Sequence, residues 1–124
     1  MKLDFDQNNP IPTISEYSEQ GIVIGNQNLS QAFVACGEKI ITENIPARAE
    51  ELSEQVMEVI IECKVDIIIL GTGVRQIFPE ASILLPALKH GVGVEVMDTG
   101  AACRSYNVLV SEGRKVAGLF YPLR

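Results

Sequence analysis

The chain has 124 residues, 47% of them hydrophobic, which suffices for one domain with its own core. The chain has 10 Lys and Arg residues and 16 Asp and Glu residues, so its net charge is -6. This charge makes nucleic acid and anionic membranes poor partners, because an acidic surface repels phosphate. The acidic start of the chain lacks the apolar run of a signal peptide. The longest apolar run, 67–70, is too short to span a bilayer, so we expect no membrane insertion.

Three widely separated cysteines, Cys36, Cys63 and Cys103, form no CxxC pair. This pattern argues against a disulfide framework and against a zinc site, and it fits a reducing cytoplasm. We therefore expect a cytoplasmic protein with no metal and no structural disulfide.

Residues 1–46 are predicted to be mainly β structure. Two prolines in the cluster 8–12 exclude a central strand there. The apolar run 21–25 predicts a buried strand, and 26–28 predicts a turn. Gly37-Glu38 separates two strand-like runs at the spacing of a β-hairpin.

Pro46 predicts the start of a long helix, since proline is tolerated in a first helical turn. Met57 and Ile61, four residues apart, interrupt its acidic outer face. They form either a loosely covered flank of the core or a small contact patch for a partner or a second subunit. The residues predicted to face the core are Ala49, Leu52, Val56, Val59, Ile60 and Cys63.

Residues 47–124 are predicted to form an α/β core, because strands and helices alternate with short connections. The non-alternating apolar run 65–70 is typical of a strand covered on both faces. Pro86 limits the regular part of the helix 82–89, and Gly113 supplies a left-handed stop after the last helix. Further strands are predicted at 92–97 and 116–121, with a helix between them that is capped by Asp98 or Thr99.

The loops 71–73 and 98–100 both follow buried strands. In a parallel sheet such loops meet at one edge, where ligands usually bind. The loop Gly71-Thr72-Gly73 is either a tight turn or part of a ligand site. The loop has no third glycine, and the sequence has no glycine-rich phosphate-binding loop ending in lysine, so NAD and nucleoside triphosphates are not expected as ligands. We expect no cofactor. The candidate ligand-binding residues are Gly71, Thr72, Gly73, Arg75, Asp98, Thr99, Cys103, Arg104 and Asn107.

Each of these residues also has a structural interpretation. Asp98 and Thr99 cap a helix, with or without a ligand contact. Cys103 is either an inert core thiol or a thiolate favoured by the helix dipole. His90 is excluded as a catalytic base for Cys103, because His90 and Cys103 lie at opposite ends of a strand about 20 Å long. Arg104 either pairs with Asp98 or joins Arg75 to hold a small anion. No catalytic residue is assigned.

Several segments together carry a family signature: 66–73, 75–76, 78–79, 91–99, 102–109 and 112–116. With these segments the chain resembles the DUF498 family, named after the archaeal protein Mth938, in its bacterial Xcc1710-like branch. The resemblance spans essentially the whole chain. Small departures are Gly100 in place of alanine and Ser105 in place of threonine, and Pro86 departs in the short helix.

This resemblance implies a three-layer α/β fold with a mixed central sheet and a small N-terminal β subdomain. It implies no established catalytic residue or cofactor, and it includes a mitochondrial assembly factor for respiratory complex I among eukaryotic relatives. Two functional hypotheses follow. The first is a non-enzymatic protein-binding or assembly module, with a protein partner or a homo-oligomer. The second is a small-molecule or anion pocket, binding or catalytic, at the edge formed by 71–73 and 98–104.

Overall fold

The computed structural model describes residues 1–3 and 10–124. Residues 8–9 of the predicted breaker cluster and most of the acidic start therefore lie outside the described residues. Within the described part, no helix is both long and apolar enough to cross a bilayer. The elements are β1 (Ile14–Ser18), β2 (Gly21–Ile24), β3 (Gln27–Leu29), β4 (Phe33–Cys36), β5 (Lys39–Ile41), a short 3-10 helix (Ala49–Glu51), α1 (Glu54–Ile61), β6 (Ile67–Gly71), α2 (Ala81–Lys89), β7 (Gly93–Met97), α3 (Thr99–Ser111) and β8 (Val116–Phe120).

A mixed five-stranded sheet forms the centre of the fold, in the order β5-β4-β8-β6-β7. Strand β6 pairs in parallel with both β7 and β8, whereas β4 pairs antiparallel with β8 and β5. Strand β6 is buried along most of its length, as its unbroken apolar run predicts. A separate antiparallel sheet, β1-β2-β3, is the small N-terminal β subdomain.

Alternating side chains of the central sheet form two cores, one on each face. Ala117 and Leu119 of β8 join the core with α1 and α2. Val116 and Phe120 of the same strand join the core with α3 and the N-terminal sheet. The result is the three-layer arrangement that the family resemblance implies.

The direction of the two crossovers explains why α2 and α3 lie on opposite faces. The chain moves from β6 to its neighbour β7 through α2, then returns past β6 to β8 through α3. Parallel crossovers are right-handed in nearly all proteins, so reversing the direction of travel puts the second helix on the other face. The central sheet therefore separates the side chains of α3 from those of α1 and α2.

The N-terminal part differs from the prediction in two places. Strands β4 and β5 form the predicted hairpin, but they belong to the central sheet and not to the small β subdomain. The predicted turn is present but lies at 25–26 and not at 26–28, because the chain reverses at Gly25, whose φ of 56° is left-handed, and Gln27–Leu29 is already a strand.

Helix α1 begins at Glu54, eight residues after Pro46, so the long predicted helix is wrong in its first part. The segment after Pro46 instead forms the 3-10 helix Ala49–Glu51, and Ser53, in an extended conformation, precedes α1. Helix α2 starts at Ala81 and continues past Pro86 to Lys89.

A disulfide joins Cys36 of β4 to Cys63 just after α1, with Cα atoms 6.5 Å apart, and this corrects the expectation of no structural disulfide. Both residues pack in the core between the central sheet and α1. Their sequence spacing of 27 residues carries no signal, because the pairing depends on how α1 is laid across the sheet.

Candidate functional site

Thr99 ties together the loops at the carboxyl end of the central sheet. Its buried hydroxyl accepts a hydrogen bond from the Gly73 backbone N–H at 2.8 Å and donates one to the Tyr121 carbonyl at 2.7 Å. The Thr99 backbone N–H also donates to the Gly73 carbonyl at 2.8 Å. These bonds use the donor of the hydroxyl within the protein, so Thr99 is a structural residue of this edge.

Thr72 has a similar role within its own loop. Its hydroxyl donates to the Arg75 carbonyl at 2.6 Å and accepts from the Ile77 N–H at 2.9 Å. Only 4% of Thr72 is exposed. The loop after β6 is therefore fixed in shape before any ligand arrives.

Two glycines in the predicted site allow close packing. A Cβ atom on Gly71 would lie 2.8 Å from the Cβ of Ala102, so glycine lets α3 lie directly on β6. A Cβ atom on Gly100 would lie 3.2 Å from Cε2 of Tyr17. A Cβ at Gly71 requires a shift of the neighbouring helix, whereas a Cβ at Gly100 requires Tyr17 to move by a few tenths of an ångström.

Asp98 caps α3, as the sequence predicts: its Oδ1 accepts from the Ala101 N–H at 2.9 Å. The ion pair considered between Arg104 and Asp98 is absent from the part of the chain that the structure describes. Arg104 instead donates to the hydroxyl of Tyr17 in β1.

Asn107, one helical turn further along α3, binds β1 through both ends of its amide. Its Oδ1 accepts from the Ile14 N–H at 2.9 Å, and its Nδ2 donates to the Ile14 carbonyl at 2.7 Å. Arg104 and Asn107 therefore connect the N-terminal sheet to α3, and both ends of the Asn107 amide have partners there.

Cys103 is a fully buried free thiol. Burial raises its pKa from 9.0 to about 12, and the nearby charge of Arg104 only partly opposes this effect. A thiol in that range stays protonated at neutral pH, so burial favours the interpretation of Cys103 as an inert core thiol over the thiolate interpretation.

The predicted meeting of Arg75 with Arg104 is wrong. Arg75 follows β6 on the side of the 3-10 helix, whereas Arg104 lies on α3 beyond the central sheet. Thr72, Gly73 and Arg75 line a groove of about 590 Å³ between the sheet edge and the 3-10 helix, and the candidate residues from 98 to 107 do not.

Arginines that the sequence does not associate with Arg75 line this same groove. Arg48 and Arg124 join Arg75 there, and Glu50 contributes the one acidic side chain of the lining. Glu50 pairs with Arg48 at 3.1 Å. A backbone hydrogen bond and the bond from Arg48 lower the pKa of Glu50, and the charge of Arg75 lowers it slightly further. We call this the arginine groove; Arg48 and Arg124 are 76 positions apart in the sequence, so no local motif reveals it.

The predicted contact patch at Met57 and Ile61 is wrong. Met57 is fully buried and Ile61 packs against the core, whereas Val59, predicted to face the core, is 45% exposed. The other predicted core residues, Ala49, Leu52, Val56 and Ile60, are buried, so the buried face of α1 is displaced only towards Met57 and away from Val59. Met57 and Ile61 belong to the flank of the core, which is the other interpretation that the sequence allows.

Exposed apolar side chains concentrate elsewhere, in the loop after β6 and on α2. Of the seven large hydrophobic residues that are exposed in the described part of the chain, four lie between 74 and 88, with Phe78 70% exposed and Leu88 60% exposed. A helix that is apolar on nearly every side, as α2 is, gives the sequence signal that could have found them. We call this set the α2 surface, and it consists of Val74, Phe78, Leu85 and Leu88.

Known proteins share both this sequence pattern and this fold. The model of a protein family of unknown function, DUF498/DUF598, matches residues 14–121. A solved structure of the Xanthomonas campestris protein XCC1710 has a TM-score of 0.79 and 31% identity, and covers 98% of this chain and 93% of its own. A Mth938-like domain from Bordetella pertussis has a TM-score of 0.81 at 24% identity, covers 99% of this chain and 93% of its own, and shows the fold.

Among longer relatives, NADH dehydrogenase [ubiquinone] 1 alpha subcomplex assembly factor 3 of Danio rerio is 29% identical over 110 residues. That match covers 88% of this chain and 63% of the zebrafish protein. With the family model matching nearly the whole chain, the chain belongs to the DUF498/DUF598 family and has the Mth938-like α/β fold.

Proposed function

We propose that this domain is a non-enzymatic protein-binding module that acts in the assembly of another protein, and that it docks through the α2 surface. The observation that carries the proposal is the concentration of exposed apolar side chains at Val74, Phe78, Leu85 and Leu88. Exposed apolar side chains gathered in one stretch of a domain favour an interaction site, because leaving them in water is unfavourable.

The geometry of α2 supports a docking role for its outer face. Ile83, Leu84 and Ala87 pack towards the core, so the helix is anchored on its inner side. Leu85 and Leu88, three residues apart, lie next to each other on the outer side. A partner would thus meet apolar side chains held on a rigid, packed helix.

The relatives named as assembly factors support the same role, since they match most of this chain. The chemistry at the sheet edge supports it as well. The hydroxyls of Thr72 and Thr99 are used in structural hydrogen bonds, and Cys103 is buried and protonated. These contacts support a structural role for the two hydroxyls and the thiol.

The cytoplasmic location predicted from the sequence stays a prediction. The disulfide between Cys36 and Cys63 weighs against a reducing compartment, since such bonds persist mainly in oxidising ones.

Site-specific photo-crosslinking in the cell of origin tests the docking proposal. A photoreactive residue replaces Phe78 in one variant and Val108 in the control, because Val108 is also exposed but lies on α3. We expect one protein to crosslink from position 78 and not from position 108. Equal yields from both positions would contradict docking through the α2 surface, and an adduct of two copies of this chain would identify self-association in place of a different partner.

A further inference from the structure

We propose that the arginine groove binds a small polyanion, a metabolite-sized molecule with two or more carboxylate or phosphate groups. This activity is distinct from protein docking, although Val74 belongs to both the groove lining and the α2 surface. The groove lies beside Thr72 and Gly73, and Tyr121 contributes to its wall.

The charge of the groove is the first argument. The chain has five arginines, and three of them, Arg48, Arg75 and Arg124, line this groove. Glu50 is the acidic side chain of the lining, so the side chains there carry a surplus of positive charge on a protein whose net charge is -6. In the described part of the chain, Arg75 and Arg124 have no carboxylate within salt-bridge distance. Positive side chains gathered against the overall charge favour an anionic ligand.

The size and rigidity of the groove are the second argument. A volume of about 590 Å³ is typical of sites for small organic molecules and exceeds what one phosphate group fills. The wall nearest the sheet is preorganised, because Thr72 and Thr99 hold the loop of Gly73 in place. A preformed wall lowers the entropy cost of binding.

The pair between Arg48 and Glu50 is the third argument, since it shows how the groove presents a guanidinium to a carboxylate. Their contact of 3.1 Å is exposed to solvent, and the charge of Arg75 also acts on Glu50. A ligand with several anionic groups would engage Arg75 and Arg124 and compete with Glu50 for Arg48. Guanidinium groups bind carboxylate and phosphate through paired hydrogen bonds, which makes arginine suited to such ligands.

Titration of the full chain with citrate and with pyrophosphate tests this proposal, followed by amide NMR shifts, with acetate and inorganic phosphate as smaller probes. We expect saturable shifts at Gly73, Val74 and Arg75 with a Kd of about 1 mM or lower for citrate or pyrophosphate, and weaker binding of the smaller probes. Preference for citrate over pyrophosphate, or the reverse, would distinguish a carboxylate ligand from a phosphate ligand.

Two substitutions in the groove should change the affinity for the polyanion in opposite directions. Arg75→Ala should weaken binding by about tenfold, whereas Glu50→Gln should strengthen it several-fold because it removes the competing carboxylate. Arg114→Ala is the control, since Arg114 is exposed in a second groove beside Lys64 and Lys115. It should leave the Kd within about twofold.

Equal loss in Arg75→Ala and Arg114→Ala, or shifts centred on the second groove, would overturn the assignment. Shifts without saturation would overturn it too, and so would a Glu50→Gln variant that binds no better than the natural chain. An acidic peptide that binds while citrate and pyrophosphate do not would show a macromolecular ligand and refute the small-polyanion proposal. Phe78→Ser should leave polyanion binding unchanged, so the docking proposal and this one fail independently.

Discussion

Replacing Thr99 by valine removes the hydroxyl that bridges two strand ends while keeping the shape of the side chain. The natural hydroxyl satisfies the Gly73 N–H and the Tyr121 carbonyl, at 2.8 and 2.7 Å, in a site with no exposure. Valine leaves both backbone groups buried without that partner. Each such group costs about 1–3 kcal/mol, so we expect Thr99→Val to lower the free energy of unfolding by about 2–4 kcal/mol.

Urea denaturation followed by circular dichroism measures this loss. With a slope of about 2 kcal/mol per molar urea, the midpoint should fall by about 1–2 M. Thr99→Ser keeps the hydroxyl and loses one methyl group, so it should cost only about 1 kcal/mol. Thr42→Val, at an exposed threonine, should stay within about 0.5 kcal/mol. A midpoint for Thr99→Val that matches Thr42→Val would refute the bridging role, and equal losses for Thr99→Ser and Thr99→Val would assign the effect to packing.

Three further predictions concern the core. Reducing the bond between Cys36 and Cys63, which are 27 residues apart, should lower the free energy of unfolding by about 3–4 kcal/mol. Alkylation of the unfolded, unreduced chain should modify one thiol by mass spectrometry, and three modified thiols would disprove the bond. The pKa of Cys103 is raised from 9.0 to about 12, so the stability it contributes is present below pH 9 and is lost as pH rises towards 12. Urea denaturation at about pH 8 and about pH 10.5 should show that the free energy of unfolding falls by about 1.4 kcal/mol for each pH unit above 9. This fall should be smaller in Cys103→Ala, and an equal fall in that variant would contradict the assignment. Gly71→Ala places a Cβ 2.8 Å from the neighbouring helix and should cost about 1–3 kcal/mol, whereas Gly93→Ala, with ordinary 3.9 Å contacts, is the control and should cost less by urea denaturation. Equal costs for the two glycines would refute the packing argument.

Local patterns in the sequence predict the α/β core well, because each signal acts over one element. The buried run ending at Gly71 is β6, Asp98 caps α3, and Gly113 follows α3 with a left-handed φ of 76°. Hydrophobic period, helix caps and glycine stops reflect contacts within a few residues, so one sequence suffices to read them.

The candidate site could not be predicted in the same way, because it depends on strand order. Loops at the carboxyl ends of parallel strands share an edge, but the return crossover places α3 and Arg104 on the far side of the sheet from Arg75. Arg48 and Arg124 reach the same groove from the two ends of the α/β segment. No spacing in the sequence indicates that meeting.

The contact patch failed for a different physical reason. Periodicity correctly assigns Val56 and Ile60 to the core, but it does not give the width of the buried face, which extends towards Met57 and leaves Val59 exposed. Met57 therefore points into the core, and the exposed apolar groups lie on α2, whose sequence is apolar on nearly every side.

Affinity for the partner captured by crosslinking from position 78 tests docking through the α2 surface most directly. The purified partner is titrated with the natural chain, with Phe78→Ser and with Leu88→Ser, and Val108→Ser is the control, since all three side chains are exposed. If the α2 surface is the docking site, the Kd rises by about tenfold or more in the first two variants and stays within about twofold in the control, because buried apolar anchors dominate interface energies. Unchanged affinity in Phe78→Ser and Leu88→Ser, with the fold intact by circular dichroism, would contradict the account.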